Sequence, residues 1–311
     1  MDKKGVAILG VFVADLTFRA SKMPAIGETV AGSGFAVGPG GKGSNQAVAV
    51  ARAGCGVTFI SRIGSDTFGE LALRTWKADG IQTRVTQTAT AATGAAFIYV
   101  HETRGDNAII VVPGAAMELC AADVDAAADA IRASRVFVTQ LEQPVAAARR
   151  GLEIARASGS ITVLNPAPAI ALDDAFFALS DYVVPNESEA EALTGIAVGD
   201  LAAARRAGDA LLARGAGTAV ITLGERGALL HARDRSIHIA SFPAGKVIET
   251  TGAGDAFVGG FAASLADGQD PLEAARFGSA AAGISVTRPG TARAMPRREE
   301  IEMLLNEQPR S

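Results

Sequence analysis

Glycines at 252 and 254 flank Ala253, Asp255 follows directly, and an apolar helical pattern begins there (ETTGAGDAFVGGF, residues 249–261). Glycine costs backbone entropy on folding, so a helix that had only to pack would start on a side-chain cap. Two glycines at this junction let successive amide N–H groups point the same way, and the start of a helix adds partial positive charge. Together they make an anion pocket that needs no basic side chain. Asp255 could then merely satisfy orphan amides in the first helical turn. The alternative is that the amides hold a transferring phosphoryl group while Asp255 takes a proton from the attacking hydroxyl. Phosphoryl transfer relies mainly on such positioning and charge stabilisation, and only this reading uses both glycines.

A second glycine cluster, GPGGKGSNQA, spans residues 38–47. It contains G-x-G-x-x-G at Gly38, Gly40 and Gly43, but a dinucleotide fingerprint should directly follow the first strand of a βαβ unit, and here other extended segments intervene. It is not a phosphate-binding P-loop either, because Lys42 is followed by glycine where that motif requires Ser or Thr. What remains is a loop of close backbone approach, with Lys42 and with Asn45 at the start of an alanine-rich helix. It suits a polyhydroxylated ligand; the plainer reading is a tight turn with a helix cap.

The elements that must position these residues alternate. Gly5 to Val13 is an apolar, β-branched run expected as a buried first strand. VTFISRIG, RVFVTQ, ITVLN, DYVVPN and TAVITLG read as further strands. DTFGELALRTWKADG, the alanine-rich stretches 121–131 and 201–213, and the segment after Thr250 read as helices. Strands alternating with helices predict a mostly parallel sheet covered on both faces, a three-layer α/β/α sandwich. ETVAGSGFAV (28–37), TGAAFIYV (93–100) and AIIVV after a polar turn at 101–107 predict a separate small β-sheet. In sheets of this class ligands bind beyond the carboxyl ends of the strands. Polar residues gather at those ends: Gln140-Leu141-Glu142, Asn165-Pro166, Asn186 to Glu189, and Thr222-Leu223-Gly224.

The chain has 311 residues, 49% apolar and 20% charged, which is ordinary for a globular protein. A net charge of −4 argues against nucleic acid as a partner. Cys55 and Cys120 are far apart and outside any CxxC, so neither a disulfide framework nor a zinc site is supported. No stretch has the roughly 18 apolar residues of a membrane span, and Asp15 interrupts the N-terminal apolar run. A cytoplasmic location is therefore expected.

These residues carry a resemblance. GGKGSNQAVA and ETTGAGDAF are similar to the two signatures of the ribokinase-like (PfkB) carbohydrate kinases. LNPAPA, PNESEAEALTG, ITLGERGALL and SVTRPG follow the same family in order and spacing, from about residue 5 to 305. Within the family the resemblance is greatest to the branch that phosphorylates D-ribose at O5. It implies one kinase domain over 1–311, with a β lid formed by about 13–38 and 92–112, and a homodimer clasped through the lids. It implies Asp255 as catalytic base and Gly252, Ala253 and Gly254 as the anion hole. Asp15, Gly41, Lys42, Asn45 and Glu142 fall on sugar-binding positions. Asn186, Thr222, Gly224 and Gly227, with Gly254, fall on ATP-binding positions, and Glu189 on the one that governs Mg2+ through water. K+ as activator would be held mainly by carbonyls at Thr251, Ser285, Arg288 and Gly290, with Glu249 beside them. A lid closing over the sugar, with the glycine-containing strands near 32–34 and the turn at 102–107 as its moving parts, would exclude water.

Three positions depart from the pattern. Val13 stands where ribose kinases carry an asparagine, and a valine cannot hydrogen-bond a sugar hydroxyl. Glu249 replaces an aspartate, and Ala294 a serine, beside the K+ position. Deoxyribose, another sugar or a nucleoside thus stay open as substrates. A non-catalytic sugar-binding relative and an NAD(P)-dependent dehydrogenase are the rivals from other classes. The intact Asp255 with its glycines argues against the first, and the poorly placed glycine match against the second. His101, His231 and His238 are scattered and receive no chemistry.

Overall fold

The computed structural model describes residues 3–104 and 106–308. Thirteen strands are β1 (Val6–Leu9), β2 (Val13–Ala20), β3 (Gly34–Gly40), β4 (Val57–Gly64), β5 (Gln82–Thr88), β6 (Thr93–His101), β7 (Asn107–Gly114), β8 (Val136–Thr139), β9 (Ile161–Leu164), β10 (Tyr182–Val183), β11 (Thr218–Thr222), β12 (Ala228–His231) and β13 (Ser236–Ile239). They form a nine-stranded sheet in the order β13-β12-β11-β10-β9-β8-β1-β4-β5 and a four-stranded sheet in the order β3-β2-β6-β7. The large sheet is parallel from β11 to β5; only the β11–β12 and β12–β13 pairings are antiparallel.

Its central strands read as unbroken apolar runs. VAIL of β1 and VFVT of β8 are buried at every position, as expected of strands covered on both faces. Helices supply the cover. One apolar layer joins β1, β4, β8 and β11 to the Lys42–Arg52, Ala253–Ala266 and Pro271–Ser285 helices, and another joins β1 and β8 to the Val145–Ala157 helix.

Small residues then bring the site-bearing helices together. An added Cβ on Gly259 would lie 2.4 Å from Ala49 Cβ and 2.9 Å from the Gln46 carbonyl oxygen. Only a glycine there lets the Ala253–Ala266 helix press onto the Lys42–Arg52 helix, and this contact sets Asp255 against Asn45 and Gln46.

The first strand ends at Leu9, earlier than the expected Val13. At Gly10 the chain leaves the large sheet for the small one; a Cβ there would lie 2.7 Å from Gly43 Cα, so the glycine turn at 40–43 packs directly on this exit. The stretch 28–33, expected to be extended, holds no strand, and β3 begins at Gly34. Residues 21–33 are mostly exposed and carry Pro24 and two glycines, residues that disfavour a regular strand. The small sheet therefore comprises 13–20, 34–40, 93–101 and 107–114. Residue 105 of the 102–107 turn, expected to be a moving part, lies outside the described residues. The alanine-rich 121–131 stretch forms two short helices, Ala121–Ala126 and Ala128–Ala133, divided at Ala127. The 201–213 stretch is one helix, Leu201–Ala213.

Candidate active site

Gly252 caps the Ala253–Ala266 helix with φ at 84°, a left-handed conformation natural to glycine. Among the described residues the amides of Gly252, Gly254 and Asp255 have no acceptor in the protein, and no side chain caps this helix. The Ala253 amide differs from the expectation: it donates to the Thr250 carbonyl at 3.2 Å, closing a turn. The amides left open to an anion are thus those of Gly252, Gly254 and Asp255, the last a donor the sequence reading left out.

Asp255 is buried, and each of its carboxylate oxygens accepts an amide hydrogen bond. Asn45 Nδ2 donates to Oδ2 at 2.9 Å and Gln46 Nε2 to Oδ1 at 3.1 Å. Burial raises its pKa, against the opposing pull of the Lys42 ammonium and the two amides. A carboxylate so raised is a stronger base than one in water, as proton abstraction from an alcohol requires.

Lys42, Asn186, Glu189, Thr222, Gly252, Gly254 and Asp255 line one cavity of about 130 Å³. Burial alone would lower the Lys42 pKa, but Asp255, Glu142 and Glu189 together hold the ammonium above its ordinary value. Lys42 is therefore a fixed positive charge among three acids. Asn186 and Glu189 form a reciprocal capping box on the Glu187–Thr194 helix. Asn186 Oδ1 accepts from the Glu189 amide at 2.8 Å, and Glu189 Oε2 from the Asn186 amide at 2.9 Å. Only one oxygen of Glu189 is used, and its carboxyl is raised by burial.

The residues expected to bind the sugar gather around the turn before the Lys42–Arg52 helix. The Lys42 backbone N–H donates to Glu142 Oε2 at 2.8 Å. Burial pushes Glu142 up to about 7, against the pull of Lys42. Asp15 is likewise pushed up to about 6 by burial, with Thr291 opposing and Asp255 and Glu249 reinforcing. Gly41, with φ at 87°, lies where a Cβ would be 2.6 Å from the Val11 carbonyl oxygen, so the glycine is a steric requirement of this turn.

Gly224 and Gly227 lie outside the cavity, at either end of the short turn Gly224–Arg226 that follows β11. Near the expected cation position, Glu249 Oε2 accepts from the Gly290 amide at 2.8 Å. Among the described residues the carbonyls of Thr251, Arg288 and Gly290 accept no hydrogen bond from the protein, whereas that of Ser285 accepts the Arg288 amide at 3.2 Å. Ala294 is buried in the short turn Ala292–Ala294. Carbonyl and carboxylate oxygens of this kind are the donor types that suit a large monovalent cation. Magnesium is a different case: no group of three or more acidic, histidine or cysteine side chains suited to a metal occurs among the described residues. Glu189 in the cavity fits a hydrated Mg2+ that is held mostly by phosphate oxygens.

Sequence reasoning missed two residues. Gln46 bridges Asp255 to Asn165, whose Oδ1 accepts from Gln46 Nε2 at 3.0 Å. Thr291 Oγ1 donates to the Pro39 carbonyl at 3.0 Å and lies 3.5 Å from Asp15 Oδ2. Gln46 stood inside the quoted GSNQA motif without a role, and nothing around Thr291 in the sequence signals one. His101 and His231 are buried strand residues and His238 is exposed; none lines the cavity. No helix among the described residues is long and apolar enough to cross a membrane.

The family model for "pfkB family carbohydrate kinase" matches residues 3–298. The ribokinase of Haemophilus influenzae is 38% identical over 299 residues, covering 96% of this chain and 97% of its own. The deoxyribokinase of Salmonella typhi is 34% identical, covering 97% and 98%. The solved structure of Arabidopsis thaliana ribokinase, complexed with ribose and ATP, superposes with a TM-score of 0.87 at 26% identity, covering 98% of this chain and 99% of that one.

Proposed function

The chain belongs to the pfkB family of carbohydrate kinases, and we propose that it transfers the γ-phosphoryl group of ATP to O5 of D-ribose, with Asp255 as the base. The observation that carries the reading is the buried Asp255 carboxylate in the first turn of a helix whose Gly252 and Gly254 amides have no acceptor in the protein.

Glu142 and Asp15 accept hydrogen bonds from sugar hydroxyls and hold the sugar so that O5 approaches Asp255. Asp255 takes the O5 proton as the O5–Pγ bond forms. The bond from Pγ to the bridging oxygen breaks, and ADP leaves with that oxygen. The Gly252, Gly254 and Asp255 amides, with Lys42, stabilise charge on the migrating group. Thr222, Gly224, Gly227 and Asn186 flank the nucleotide. Mg2+ near Glu189 would neutralise phosphate charge, and K+ at the Thr251, Arg288 and Gly290 carbonyls beside Glu249 would reinforce the anion hole. Residues 1–311 act as one kinase unit. The small sheet serves as lid and, through its apolar outer face, as the contact of a homodimer. A reaction that draws on ATP fits the cytoplasm.

Val13 favours a second reading, 2-deoxyribose. It is buried with Val11, Ala96 and Ala116 on the face of β2 that also carries Asp15. An apolar wall suits a ring carbon that lacks its hydroxyl, because an unpaired buried hydroxyl costs about 1–3 kcal/mol. The Salmonella relative bears the name deoxyribokinase.

A coupled ADP-release screen over ribose, 2-deoxyribose, fructose and nucleosides, with and without K+, tests both readings. Ribose is expected to lead, K+ to raise the rate, and Asp255→Asn to abolish turnover while sugar still binds. Efficiency about tenfold better with 2-deoxyribose, moved back toward ribose by Val13→Asn, selects the second reading. ADP release from no sugar, or full turnover by Asp255→Asn, overturns the mechanism.

A further inference from the structure

We propose that Gln46 is a positioning residue for the phosphoryl transfer: a one-way relay of hydrogen bonds, beginning at the Val184 carbonyl and passing through Asn165 and Gln46, fixes the orientation of the Asp255 carboxylate. The inference rests on Asp255 being the base.

The relay has a direction because its first member has no choice. A backbone carbonyl only accepts, so the bond from Asn165 Nδ2 to the Val184 carbonyl, 2.9 Å, turns Asn165 Oδ1 toward Gln46. Gln46 Nε2 must then donate to that oxygen, and its second hydrogen goes to Asp255 Oδ1. Gln46 Oε1 is occupied by Gln140 Nε2. Reversing either carboxamide would set donor against donor or oxygen against carboxylate. Gln46 and Gln140 are fully buried and Asn165 nearly so, so water cannot replace a lost partner. Gln140 itself is seated by glycines, since a Cβ on Gly10 would lie 2.4 Å, and one on Gly43 2.9 Å, from its Oε1.

The consequence falls on the base. Oδ1 is pinned from the core side by Gln46 and Oδ2 by Asn45, so the remaining lone pairs keep fixed directions. Donation to a carboxylate also favours its charged form. Losing Gln46 should therefore misalign the base and make it harder to ionise.

The test compares Gln46→Met and Gln46→Glu with the parent. Gln46→Met keeps much of the volume without the donor. Its kcat is expected to fall roughly 10- to 100-fold, and the acid limb of its pH profile to move up by about one unit. Calorimetry should still find sugar and ADP bound. Gln46→Glu can donate only while protonated, so its activity is expected to recover as pH falls and to vanish as the introduced carboxyl ionises beside Asp255. An unshifted acid limb with parental kcat in both variants overturns the relay. So does a loss that is independent of pH and accompanied by lost binding, which is what a merely structural role would give. Should Gln46→Met fail to fold, the inverted pH response of Gln46→Glu decides. Asp255→Asn separates the two layers. Turnover persisting there overturns the base assignment, whereas its loss alongside unmoved Gln46 profiles overturns the relay alone.

Discussion

The backbone N–H of Lys42 donates to Glu142 Oε2 across 2.8 Å, joining the glycine turn that begins one helix to the loop that ends β8. Glu142 is thereby held, half-buried, as an acceptor whose pKa is pushed up to about 7, with Asp15 at about 6. Both values lie above those of free carboxyls. The protonated forms therefore stabilise the sugar-free fold fully below the unfolded values, and that contribution is lost as pH rises through about 6 and about 7. Sugar hydroxyls prefer the charged acceptors, so the affinity is expected to move oppositely, strengthening from about pH 5.5 to about pH 8. Calorimetric titration of the sugar across this range checks it. Glu142→Gln should abolish the upper step and leave the one near 6 belonging to Asp15. Affinity that is flat with pH in the parent would remove the assignment of both acids as sugar acceptors.

The two glycines proposed as the anion hole should respond in opposite ways. Gly254 is in the first helical turn, lines the cavity, and an added Cβ would meet no atom within 4 Å. Gly254→Ala is expected to keep or raise the melting temperature, since alanine is better in a helix by about 0.5–1 kcal/mol. Its turnover should fall roughly 10²-fold, because the methyl stands where the phosphoryl group passes. Gly252→Ala instead loses about 1–2 kcal/mol of stability, from the positive φ. Thermal melts paired with ADP-release rates check both. Parental turnover by a well-folded Gly254→Ala would show that the transferring group does not pass there.

Much of this geometry was legible in the sequence because it is local. Glycine before a helix, an acid in its first turn and polar residues closing apolar strands are all short-range chemistry, and they pointed to Gly252, Gly254, Asp255, Glu142 and Asn186. What stayed hidden depends on distant partners. Gln46 meets Asp255 across 209 positions of sequence, and its motif gives no sign of which acid it will face. The turn that engages the Ala253 amide depends on the exact path of the 250–253 backbone, which composition does not fix. β5 was missed because QTRVTQT is largely polar, as suits an edge strand with one neighbour.

Glu189 carries one duty in the fold and, in the proposed reaction, a second. Its Oε2 closes the capping box with Asn186, and its other oxygen is free for chemistry. Glutamine serves a capping box as well as glutamate does. Glu189→Gln is thus expected to leave stability within about 0.5 kcal/mol while raising the Mg2+ concentration needed for half-maximal rate. Asn186→Ala breaks the cap and should cost about 1 kcal/mol. Titrating Mg2+ against rate, beside denaturant melts, distinguishes them. An unchanged Mg2+ requirement in Glu189→Gln would leave the residue with its structural duty alone.

The small sheet exposes more apolar surface than a free lid needs. Phe35, Ile110 and Val112 are each 61% exposed. Phe18 packs against Phe35 and Phe97 at 4.8 and 5.5 Å between ring centroids, and Phe97 pairs with Ile110 across the strands. These side chains make a continuous patch on the outer face, opposite the one carrying Asp15. Patches of this kind mark interaction surfaces, and a second copy of the sheet is the complementary apolar partner. Sedimentation velocity at micromolar concentration is expected to give a dimer for the parent and a monomer for Ile110→Lys. Because Asp15 stands on β2 of the same sheet, the monomer should also show a raised KM for the sugar with a smaller effect on kcat. A parent that sediments as a monomer while phosphorylating its sugar at full rate would show that the lid works without a partner.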